Sequence, residues 1–177
     1  QAVAAIEVGI AKAEELHAQG YEILATGEMG IGNTTTSSAM TAVYLGLDVE
    51  TVTGRGAGLS SHGLQRKINA IKQAIAVNQP NPEDPLDVLA KVGGLDIAGM
   101  AGVFIGGAAL GMPVVMDGFI SCVSALIAMR ICPAARDYIL ASHVSNEPAA
   151  HLILENMGKE AIIHADMCLG EGTGAVA

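Results

Sequence analysis

The stretch YEILATGEMGIGNTTTSSA, Tyr21–Ala39, sets a short apolar run directly before three glycines, one carboxylate and a burst of hydroxyls. Tyr21–Ala25 predicts a short strand. Asn33 or Thr34 can cap a helix reaching about Leu45. Strand, glycine-rich loop and helix in succession form the repeating unit of an α/β protein.

The rest of the chain extends that unit. Upstream, apolar Val3, Ile6, Ile10 and Leu16, with Gly20 as a stop, predict a helix over 1–18. Downstream, Val49–Thr53 reads as a strand. Ser60 or Ser61 opens a helix through about Val77. NQPNPEDP at 78–85 is a turn-rich connector, too short to separate domains. Pro85 sits at the favoured first-turn position of a helix over 86–91. A glycine-rich helix over 95–110 follows, then a buried strand Pro113–Met116 and a helix over 119–131. Tyr138–Ser142 is the next strand. Glu147-Pro148 starts a helix through Met157, and Ile162–Ala165 is a last strand ending in LGEGTGA. The expected architecture over 1–177 is a single α/β nucleotide-binding core, Rossmann-like, with a parallel sheet flanked by helices on both faces. Ligands in such sheets bind beyond the carboxyl ends of the strands, so chemistry should sit in the strand-to-helix turns.

Composition narrows the classes. Hydrophobic residues make up 51% of the 177 and charged residues 15%, which excludes disorder. The 22 glycines exceed the usual roughly 7% and imply tight turns and close backbone approach. A net charge of −9, no basic cluster and no Trp argue against a nucleic-acid partner. Residues 97–116 are uncharged, but five glycines and Pro113 favour a buried helix plus a buried strand over a membrane span. The three cysteines form no C-x-x-C and the five histidines no metal-ligand pairing, so reduced thiols in a cytoplasmic protein with no metal and no cofactor are expected. No signal peptide is read at the start. Gln1 falls in mid-pattern helix, which suggests a fragment of a longer chain.

Five turns could carry chemistry. GEMGIGNT, Gly27–Thr34, nearly spells the phosphate loop G-x-x-x-x-G-K-[ST], but Asn33 replaces the lysine. A triphosphate with magnesium needs that cation, whereas backbone amides at a helix start, with Gly30, Gly32, Asn33 and Thr34, could hold a monophosphate. The alternative is a capped connection with no ligand. Glu28 would repel a phosphate, so it is expected to point away, toward a sugar hydroxyl, a base or a neighbouring loop; otherwise it is simply solvated. TGRGAG, 53–58, leads to the helix carrying Lys67, and Arg55 or Lys67 could supply the missing cation or form a surface ion pair. Asp117 and Gly118 end a strand, where the acid could meet a ribose or cap a helix. In ASHVSNEP, 141–148, Ser142 and Ser145 could touch phosphate, or Ser145 and Asn146 could cap a helix. Glu171 in LGEGTGA lies between glycines that leave room for a planar substrate. Partial desolvation by neighbours such as Leu169 would suit it to proton abstraction, while a helix-start glutamate is the plainer reading. There is no G-x-S-x-G and no complete GxGxxG.

ATGEMGIGNTT, TGRGAGL, FIGGAALGMPVVMDGFIS and LGEGTGA, in that order, resemble the nicotinate-nucleotide:dimethylbenzimidazole phosphoribosyltransferases of cobalamin lower-ligand synthesis. The resemblance runs from about Ala5 to the last residue, and its members are longer at both ends. It implies transfer of a phosphoribosyl group from nicotinate mononucleotide to a benzimidazole-type base, giving α-ribazole 5′-phosphate. It implies Glu171 as the base that takes the benzimidazole proton, with Glu28 assisting near the reacting centre. The GIGNT loop, Lys67 and Ser145 would bind the 5′-phosphate. Asp117, Gly118, Leu169 and Gly170 would line the ribose or base region. It further implies a homodimer, with helix 95–110 as a candidate contact. A non-catalytic nucleotide-monophosphate binding module and a phosphate-loop NTPase are the competing readings.

Overall fold

Two small parallel sheets carry the turning points of the chain, and helices flank them. The computed structural model describes residues 1–167 and 170–177. In chain order the elements are α1 (Ala2–Ala18), β1 (Leu24–Ala25), α2 (Asn33–Leu45), α3 (Val49–Val52), α4 (Ser61–Asn78), α5 (Pro85–Val92), α6 (Leu95–Ala109), β2 (Val114–Met116), α7 (Phe119–Ile131), a 3₁₀ turn (Pro133–Tyr138), β3 (Ile139–Ala141), β4 (His143–Ser145), α8 (Ala150–Met157), β5 (Ile163–Met167) and α9 (Thr173–Val176). One sheet has the order β1-β2-β3 and the other pairs β4 with β5. Register aligns Leu24 with Val114 and Val114 with Ile139. Because all pairings are parallel, the carboxyl ends within each sheet point the same way. From those ends run the loops at 26–32, 117–118 and 146–149, and β5 leads toward Gly170–Gly172.

The expected α/β class with parallel strands flanked by helices is borne out. The uncharged run 97–116 divides into α6 and β2 through a turn at Gly111, where φ is +71°. Among the described residues no helix is long and apolar enough to cross a membrane. The core is built from Ile, Val, Met and Ala around Phe104, with Met40, Ile97, Met116, Ile127 and Ile153 fully enclosed. Burying each such side chain contributes roughly 1.5–3 kcal/mol, so an aromatic-poor core still suffices.

Four expectations need correction. Val49–Thr53 is not a strand: Val49 and Val52 are both buried at i,i+3 spacing, and the Thr53 hydroxyl donates to the Val49 carbonyl. The strand expected over Tyr21–Ala25 pairs only at Leu24 and Ala25, since Tyr21 and Ile23 face solvent. The helix expected from Glu147 begins at Ala150. The strand ending at Ser142 is followed at once by β4 in a second sheet, and the buried Ser142 hydroxyl donates to the Met116 carbonyl at 2.6 Å.

The glycine face of α6 is also already occupied. α1 lies against it closely enough that a Cβ on Gly102 would sit 2.0 Å from the Ile6 carbonyl oxygen, and one on Gly9 1.9 Å from the Gly99 oxygen. That face therefore serves the interior of one chain. Gly102→Ala should lower stability by roughly 1–3 kcal/mol, because both colliding atoms are backbone and cannot rotate away. Gly99→Ala is the control. Its Cβ would lie 3.8 Å from the Ala5 oxygen, ordinary contact, so the gain in helix propensity leaves stability equal or higher. Thermal unfolding of both variants checks the contrast.

Candidate active site

A cleft of about 730 Å³ lies over the carboxyl ends of the strands and gathers Glu28, Gly30, Thr34, Asp117, Gly118, Ser145, Gly170 and Glu171. Gly32, Asn33 and Lys67 do not line it. The phosphate-loop candidate and the C-terminal glutamate thus share one cavity. They are also joined directly: the Glu171 amide donates to the Glu28 carbonyl at 2.8 Å. Gly27 packs against Gly172 so tightly that a Cβ would lie 2.3 Å from its nitrogen. Leu169 and Cys168 lie outside the described residues.

The first turn ends at Gly32, in the left-handed region at φ +82°, and α2 starts there without a side-chain cap. The Thr35 amide donates to the Gly32 carbonyl at 3.1 Å, which leaves the Asn33 and Thr34 amides for solvent or an anion. Neither Asn33 nor Thr34 caps the helix. Asn33 donates to the Glu28 carboxylate at 2.7 Å and to Asp96 at 2.9 Å, so its amide faces two carboxylates instead of an open anion site. Glu28 does not point away from its own loop as expected. It folds back, and the same oxygen accepts from the Gly30 amide at 2.5 Å. A phosphate reaching the Gly30 amide would have to displace it.

Lys67 is the cation brought to the first turn. Its ammonium donates to the Thr34 hydroxyl at 2.9 Å and to the Gly54 carbonyl at 3.1 Å. Burial holds its pKa below the usual lysine value, and Glu147 acts in the opposite sense. Arg55 lines the cleft but is engaged in its own turn, donating to the Leu59 carbonyl and the Ser61 hydroxyl. Ser145 lines the cleft, and its hydroxyl accepts from the Glu147 amide at 3.4 Å. Ser142 is spent on the Met116 carbonyl.

Sequence reasoning missed Glu147. One carboxylate oxygen accepts from the Gly56 amide at 3.1 Å, and the other is buried with no hydrogen-bond partner among the described residues. It fits only because Gly54 has no side chain, since a Cβ there would be 1.9 Å away. The Glu147-Pro148 pair reads as a helix start, and nothing in its spacing distinguishes a glutamate aimed at another loop. Cys122 is free and its thiol is pushed up to about 12, chiefly by burial, so it is no nucleophile at neutral pH. Among the described residues no group of three His, Cys, Asp or Glu side chains is arranged for a metal.

A glycine-walled cleft with an open helix start, a nearby lysine and the carboxylates of Glu28 and Glu171 suits a phosphorylated sugar and its reacting centre. A family model described as phosphoribosyltransferase matches residues 1–177, and the chain belongs to that family. The nicotinate-nucleotide–dimethylbenzimidazole phosphoribosyltransferase of Acetivibrio thermocellus is 52% identical over 99% of this chain and 50% of the relative. That of Geobacter sp. strain M21 is 53% identical over the same shares. The crystal structure of CobT from Thermus thermophilus superposes with a TM-score of 0.93 at 43% identity, covering 99% of this chain and 52% of that one. The likeness drawn from the four sequence motifs is thereby borne out. The chain spans about half the length of the curated relatives it matches.

Proposed function

We propose that the chain carries a phosphoribosyl-transfer centre that moves the 5-phosphoribosyl group of nicotinate mononucleotide to 5,6-dimethylbenzimidazole. The observation that supports this best is the shared cleft, with Glu171 on one wall and the open start of α2 on another. A mononucleotide carries one phosphate, so amides of α2, Thr34, Ser145 and the Lys67 ammonium behind Thr34 meet its charge without a phosphate-loop lysine.

The reaction breaks the bond between the ribosyl carbon and the nicotinate nitrogen, and its electron pair leaves with nicotinate. A benzimidazole nitrogen forms the new bond on the opposite face, inverting that carbon. The proton on the other benzimidazole nitrogen passes to Glu171, leaving α-ribazole 5′-phosphate with an uncharged benzimidazole ring. Positive charge grows on the sugar as the leaving bond lengthens, and the Glu28 carboxylate beside Gly30 stabilises it. The resemblance also supports a cytoplasmic homodimer.

Calorimetric titration with nicotinate mononucleotide, followed by chromatography after addition of dimethylbenzimidazole, tests the reading. Saturable binding with equal amounts of nicotinate and α-ribazole 5′-phosphate is expected. Binding without product would reduce the chain to a nucleotide-binding module, and magnesium-dependent triphosphate binding in its place would overturn the assignment.

A further inference from the structure

Asp117 ends β2, where the sequence suggests either a ribose contact or a cap on the following helix. Its carboxylate does not cap that helix. α7 has no side-chain cap at its start. One Asp117 oxygen accepts from the Gly174 amide at 2.8 Å and the other from the Gly172 amide at 3.0 Å. The residue is 1% exposed, so both oxygens are committed to the C-terminal loop and little of the group is left to meet a sugar hydroxyl. The loop needs such an anchor. Glu171 has φ +62°, a left-handed conformation that a glutamate adopts only when its surroundings impose it. The two amides that Asp117 holds belong to residues 172 and 174, immediately after it. On the other side of the loop the Glu171 amide is tied to Glu28. Gly174 is pressed onto the buried ring of His143, where a Cβ would lie 2.0 Å from Nδ1.

We propose that Asp117 is a positioning residue for Glu171: through the Gly172 and Gly174 amides it fixes the turn that aims the base into the cleft. This rests on Glu171 being the base. An asparagine at 117 would turn an NH₂ toward one of the two amides, donor against donor, and loosen the turn while leaving the phosphate cradle alone.

The test is kinetic, on the full chain. Asp117→Asn should lower kcat roughly 10–10²-fold while the KM for nicotinate mononucleotide stays within about twofold. In a Glu171→Gln background the same substitution should cost nothing further, because a residue that acts only through Glu171 has nothing left to position. Asp117→Ser, smaller and still an acceptor, gives the same pattern should the asparagine variant fail to fold. A parent-like kcat, a tenfold weaker nucleotide with kcat kept, or losses that multiply in the double variant would each overturn the proposal. So would failure of both variants to fold, which would make Asp117 a folding residue. If Glu171→Gln alone is as fast as the parent, the base reading fails instead; if it is slow while Asp117→Asn is not, only the positioning role fails.

Discussion

Glu171→Gln should lose at least roughly 10² in turnover while still binding nicotinate mononucleotide. Glutamine matches glutamate in shape and sits equally well, or badly, in the left-handed backbone at φ +62°. Its amide nitrogen cannot accept the benzimidazole proton, so only the proton transfer is removed. The Glu171 amide would keep its bond to the Glu28 carbonyl, and the loop should stay in register with the first turn. Calorimetry of nucleotide binding and single-turnover product formation separate the two effects. A variant as fast as the parent would remove Glu171 from the mechanism.

The same site predicts an opposition between stability and rate. A left-handed non-glycine residue costs roughly 1–2 kcal/mol. Glu171→Gly relieves that strain, so it should be as slow as the glutamine variant yet at least as stable on thermal unfolding. Strain held at a residue whose side chain reaches a cleft is what a positioned functional group leaves in the backbone.

Much of this was legible in the sequence because glycine and turn chemistry mark the carboxyl ends of strands so strongly. The alternation of apolar runs with helical periods placed β2, α6 and α7 within a residue or two. What escaped were features set by distant partners. Three-residue β4 has no pattern of its own and exists because β5 pairs with it. α3 offered V-E-T-V-T, rich in the β-branched residues that strands favour, but burial of both Val49 and Val52 settled it as a helical turn. At the site, residue types pointed to the first glycine-rich turn and Glu171, and the two share one cleft. They could not foretell that Asn33 would face Glu28 and Asp96, that Asp117 would hold amides 55 and 57 residues away, or that Glu147 would reach Gly56. Each of those is a choice among hydrogen-bond partners made by tertiary packing, and local sequence does not contain it.

Gly27→Ala should abolish most turnover without unfolding the protein. Gly27 begins the first turn, and its Cα faces the last turn of the chain. An added Cβ would meet the Gly172 nitrogen at 2.3 Å, its Cα at 2.5 Å and the Glu171 carbonyl carbon at 2.8 Å. All three are backbone atoms, so no side chain can swing aside. The collision must be relieved by moving one turn off the other, which breaks the Glu171–Glu28 backbone bond and shifts the proposed base, Glu171, within the cleft. A displacement of about 1 Å at a reacting centre can cost 10²-fold. Gly27 itself is exposed and lies outside the hydrophobic core, so the fall in melting temperature should be far smaller than that of Gly102→Ala. Gly30→Ala sharpens the contrast, because its Cβ would meet no protein atom within 4 Å and any loss of stability must come from its φ of +79°. If Gly27→Ala turns over like the parent, the two turns do not need to touch, and the close seam between them is packing without consequence for the chemistry.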